Sequence, residues 1–189
     1  MTILDFLLIT VGLIIILLSA TQGLIRVLIM FFSFYIICIA AGVLTLAAEV
    51  VQKLATTIST SFGGAPPPLT VAQLIVFLCV SIPLFIAAYF ISKVAFGDTS
   101  IPELKGFDNV LGAGVGVILA LLIMAVMCNT WGVAVNAPRR MTPFWSAMQN
   151  AYYYAALRPL MTQIIGAYQM LLFVFRFLDY PPFFVPQWM

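Results

Sequence analysis

Four long apolar intervals, with charge only at their edges, constrain this chain more than any other feature: about residues 4–20, 27–48, 69–92 and 110–135. A helix needs about 20 apolar residues to cross a hydrocarbon core of roughly 30 Å. Within lipid only helices and closed barrels satisfy their own backbone hydrogen bonds. The expectation is therefore an all-α polytopic membrane protein with four transmembrane helices, arranged as hairpins 1–2 and 3–4. Composition agrees, with 64% hydrophobic and 7% charged residues, against roughly a quarter charged in soluble domains. Residues 1–135 form the transmembrane domain and 136–189 a separate C-terminal region.

The breaks between intervals set the connections. The first span carries Asp5 at its start and has no basic n-region or cleavage site, so it is expected to stay in the mature protein. Thr21-Gln22-Gly23 is short enough to force a tight hairpin, with Arg26 at its turn. Glu49 and Lys53 end the second span, and TTISTSFGGAPPP (56–68) reads as a loop because three prolines cannot continue a helix. Pro83 predicts a kink inside the third span. Residues 93–108 hold Lys93, Asp98, Glu103, Lys105 and Asp108 among glycine and proline breakers and read as an aqueous loop. Asp108 then stands before the fourth span, where its carboxylate suits the positive end of that helix.

FDNVLGAGVGVILALL (107–122) places Gly112, Gly114 and Gly116 at every second position. A dinucleotide loop requires G-x-G-x-x-G between a strand and a helix, and neither the spacing nor the long apolar continuation fits. Gly112 and Gly116 lie four apart on one helical face, extended by Ala113 and Ala120, the pattern that lets two membrane helices approach closely. Assembly is expected to use that seam, with Gly114 on another face.

The C-terminal region mixes Arg139, Arg140, Trp145, Tyr152 to Tyr154, Arg158, Tyr168, Arg176 and Trp188, a composition suited to the headgroup level. Within 159–178, Thr162, Gln169 and Arg176 recur every seven residues, one narrow polar stripe on an apolar helix. Amphipathic interfacial helices are favoured; the alternative is a fifth transmembrane helix.

Chemistry is sparse. A net charge of +2 without a basic run gives nucleic acid no groove, and the absence of histidine removes the commonest base and metal ligand. Cys38, Cys79 and Cys128 fall inside spans and read as packing residues. The six acidic residues lie at span ends or in loops, so no buried carboxylate pair offers acid–base chemistry. Neither an enzyme nor a cofactor site is expected. Asp5, Glu49, Arg139 and Arg140 fall on one membrane side and Arg26 and Asp108 on the other, where ion pairs could form; counting basic residues near span ends gives three against three and sets no orientation.

The hairpin LDFLLITVGLIIILLSATQGLIRVLIMFFSFYI, the stretch KGFDNVLGAGVGVILALL and the order of four spans with an aromatic tail resemble the colicin V production protein family of bacterial inner-membrane proteins, over roughly the first two thirds of the chain. Gly23 and Arg26 fit that family's first turn, while Gln22 and Val27 depart; Asp108, Gly112 and Gly116 fit its fourth span, while Asn109, Leu119 and Ala120 depart. At Gln22, Asn109 and Leu119 the family often bears arginine, so a leucine exposed to lipid or to a protein partner is expected at 119. The resemblance implies a multi-pass inner-membrane protein without enzymatic activity that supports secretion or envelope homeostasis, contacts membrane lipids and forms a homo-oligomer. The alternative is an accessory scaffold subunit of a respiratory or photosynthetic energy-transducing complex.

Overall fold

The computed structural model describes residues 1–61, 68–95, 105–136, 143–172, 175 and 180–186. Arg139, Arg140, Arg176, Asp179 and Trp188 lie outside them, as do 62–67 of the proline-rich segment and 96–104 of the charged connection. Among the described residues there are seven α-helices and no strand: α1 Ile3–Gln22, α2 Leu24–Leu46, α3 Ala48–Ser61, α4 Leu69–Ala95, α5 Lys105–Asn136, α6 Pro143–Tyr153 and α7 Arg158–Leu171, followed by a 3-10 turn, Pro182–Phe184. Four of them, α1, α2, α4 and α5, are long and apolar enough to cross a membrane. The chain is a polytopic all-α membrane protein.

Local chemistry explains where the helices begin. Thr2 and Asp5 form a reciprocal capping box at the start of α1, with the Thr2 N–H donating to the Asp5 carboxylate at 2.8 Å. Gly23 alone separates α1 from α2, at φ 77° and ψ 166°, a region that is essentially glycine-only. One residue therefore reverses the chain. The third and fourth spans are longer than their charge-free intervals, because α4 runs past Lys93 and α5 starts before Asp108.

Residues 56–61 are helical, not loop. The hydroxyls of Thr56, Thr57 and Thr60 donate back to the carbonyls of Gln52, Lys53 and Thr56, so the polar side chains are satisfied within α3. Val51 and Ala55 on the opposite face are buried against Ala72 and Val76 of α4. Burial of that small apolar face outweighs the weak helix propensity of the threonines.

Among the four spans, the expected hairpin partners are not the principal packing partners. α1 packs most broadly on α5, α2 on α4, and α5 also carries α7, so α5 is the central helix. One apolar core joins Leu4 and Leu8 of α1, Cys38 and Ala41 of α2, Phe77 of α4, Ala125 and Cys128 of α5, and Tyr152, Ile165, Tyr168, Phe183 and Phe184 of the C-terminal region. Residues 1–135 and 136–189 thus share a core. Large apolar side chains such as Phe6, Leu17, Ile36, Phe90 and Ile118 point outward, as a lipid-facing surface requires.

α7 is not a fifth span. Its 14 residues reach about 21 Å, short of a roughly 30 Å core. It starts beside Asp5, where the N–H groups of Ala156 and Leu157 donate to that carboxylate at 3.1 and 3.0 Å. It ends beside Tyr35, halfway along α2, whose hydroxyl donates to the Leu171 carbonyl at 2.8 Å. Phe175 then lies against Gly42, near the far end of α2, and Phe183 stacks on Phe77 with ring centroids 4.1 Å apart. The chain enters from the end where α1 begins, descends to mid-helix and returns. Thr162, expected on a polar stripe, lies on the buried face, its hydroxyl donating to the Arg158 carbonyl.

Candidate functional site

Three features organised by α5 make up the candidate site: a glycine seam, a polar tie to the C-terminal segment, and an apolar groove.

The seam runs antiparallel along α1. A Cβ placed on Gly12 would lie 2.6 Å from Met124 Sδ, one on Gly116 would collide with Ser19 Cβ, and one on Gly112 would lie 2.9 Å from the Gly23 carbonyl carbon. Gly114 faces open space. Ala120 is buried on the same helix and Ala113 half-buried. The seam expected to join neighbouring molecules is filled within this chain by α1. Asp108 caps α2 rather than its own helix: its Oδ1 accepts the Leu24 N–H at 3.0 Å, and its other oxygen lies where a Gly23 Cβ would stand. Leu119 is only 3% exposed, packed beside Ile15, Leu18, Val27 and Met30, so it presents nothing to lipid. Arg26 is half-buried near this turn.

At the opposite end, Asp5 is fully buried and its carboxylate accepts hydrogen bonds from the backbone N–H groups of Thr2, Ala156 and Leu157; Arg139 and Arg140, expected near it, lie outside the described residues. Four donors on one carboxylate, the Thr2 hydroxyl included at 3.2 Å, satisfy it within the fold. The Arg158 guanidinium lies 4.7 Å from the Tyr152 ring centroid and 5.1 Å from that of Tyr153. Burial pushes the Tyr152 phenol above its ordinary value, against the lowering pull of Arg158, so it stays neutral. Its ring fills the notch left by Gly132 of α5, where a Cβ would lie 2.5 Å from Tyr152 Cζ. Glu49 is exposed on α3.

Asn129 was not anticipated. Its amide, buried in the C-terminal half of α5, donates to the carbonyls of Phe183 (2.5 Å) and Val185 (3.0 Å). With the bond from Tyr35 to the Leu171 carbonyl it ties the C-terminal segment to the spans, while Tyr180 donates to the Gln169 carbonyl within that segment. A lone amide in an apolar span gives the sequence no distinguishing pattern; only its position opposite a returning segment reveals the role.

The groove opens between α4 and α5 over a floor of α2. It encloses about 470 Å³ and is lined by branched aliphatic and aromatic side chains, among them Phe34, Phe77, Phe85, Ile123, Met127 and Trp131. Thr130 donates to the Met127 carbonyl at 2.9 Å and Trp131 Nε1 to that of Met148 at 3.3 Å, so neither offers a free donor to a ligand. Among the described residues no three His, Cys, Asp or Glu side chains converge to hold a metal. The arrangement can bind apolar matter and present helix faces; the Cys38 thiol and the Ser81 and Thr130 hydroxyls are polar groups along the groove, and no carboxylate is among its described lining.

No family model, curated protein or solved structure matches this chain.

Proposed function

We propose that this chain is a non-enzymatic scaffold of the bacterial inner membrane that works by assembly, with its own copies or with other membrane subunits, in support of secretion or envelope homeostasis. The carrying observation is that the residues behind its resemblance to the colicin V production family meet at one point: Gly23 at the first turn, and Asp108, Gly112 and Gly116 at the start of α5. Motifs separated by about 80 residues in sequence thereby act as a single structural junction. A fixed junction, a shared core and four spans that are apolar all round suit a protein that positions neighbours rather than one that conducts or converts a solute.

The second reading, an accessory subunit of a larger energy-transducing complex, is favoured by the broad exposed apolar face of α4, which another subunit could cover. Native mass spectrometry of the gently extracted protein separates the two. A particle of several identical chains supports the first, fixed stoichiometry with redox or pigment proteins supports the second, and a lone monomer contradicts the assembly proposal.

A further inference from the structure

We propose that the groove between α4 and α5 is a binding site for one acyl chain of a membrane phospholipid, drawn from the leaflet on the side of α6. This goes beyond the scaffold reading and does not depend on it.

Dimensions select the occupant. Along α4 the lining runs from Leu74 to Ile86, twelve residues or about 18 Å at the helical rise, close to half of a roughly 30 Å hydrocarbon core. The groove is therefore as long as one acyl chain within one leaflet and about half as long as a membrane-spanning partner helix. Partner helices pack on small side chains along a seam of full membrane depth; here aromatic and branched side chains outnumber the small ones and the groove stops halfway.

Position selects the leaflet. Leu7 near the start of α1, Ala134 near the end of α5 and Met148 of α6 mark one end of the groove, all at the same face of the bundle. Phe85, Ile86 and Ile123 close the other end at mid-helix. A chain lying there has its headgroup at the α6 face and its terminal methyl at the midplane. Phe77, which lines the groove, is held from behind by Phe183, so the C-terminal segment shapes the wall. Bulk lipid is as apolar as these walls, so retention depends on fit rather than polarity.

The experiment uses Trp131, which lines the groove, as the reporter. A variant with Trp145→Phe and Trp188→Phe keeps it as the sole tryptophan, and the protein is reconstituted in vesicles carrying a rising fraction of phospholipid brominated along its acyl chain. Adding Ser81→Phe fills the groove, whereas Leu84→Phe adds the same bulk on a lipid-facing position outside it. The expected result is steep, early-saturating quenching that Ser81→Phe removes and Leu84→Phe leaves in place. Equal quenching in all three proteins, as bulk lipid alone would give, overturns the site. Should Ser81→Phe fail to fold, native mass spectrometry of the parent decides: one retained phospholipid per chain supports the site, and bare protein or another polypeptide in its place refutes it.

Discussion

Glycine decides where this chain's helices touch. Gly112 and Gly116 were legible in the sequence because four-residue spacing puts both on one helical face, yet the spacing could not say which helix would fill that face. Ser19 of α1 and Gly23 at the turn supply the answer in three dimensions, with Gly12 of α1 meeting Met124 farther along the seam. Gly116→Leu must displace Ser19 and is expected to cost about 1–3 kcal/mol, read as a lower thermal midpoint in detergent, whereas Gly114→Leu, facing open space, leaves the midpoint unchanged. Equal effects would sink the seam. Asn129 was invisible beforehand, since one amide in an apolar run has no periodicity. Asn129→Leu leaves the Phe183 and Val185 carbonyls without their donor, a loss of about 1–3 kcal/mol, and should speed proteolysis of the C-terminal segment while α1 to α5 stay protected.

At the scale of elements, hydropathy identified α1, α2, α4 and α5 because each must present apolar side chains all round. It failed for α3, whose threonines and charges read as loop. The apolar signal there reduces to Val51 and Ala55, too little to notice without the Ala72 and Val76 surface beneath them. Ala55→Leu overfills that contact and is expected to detach α3, measured as faster amide exchange over Ala48–Ser61 with α5 unaffected. The stripe in α7 misled for a related reason. Heptad spacing of Thr162 and Gln169 suggested a wet face, but Thr162 satisfies its hydroxyl on the preceding turn and can be buried.

For the whole molecule, the number of spans was readable from length and charge, because bilayer thickness fixes both. Pairing was not, because α1 with α5 depends on notches at Gly12, Gly112 and Gly116, and the seat of the C-terminal region on those at Gly42 and Gly132, that only matching side chains reveal. The account's central claim is that four spans enclose a C-terminal segment which enters and leaves by the same face. Single cysteines at Thr21, Lys53, Tyr154 and Val185, placed in a background lacking Cys38, Cys79 and Cys128, test it through labelling of intact vesicles with a membrane-impermeant maleimide. The predicted result is that Lys53→Cys, Tyr154→Cys and Val185→Cys react from one side and Thr21→Cys from the other. Reaction of Val185→Cys on the side opposite Tyr154→Cys would mean a fifth crossing and would contradict the account.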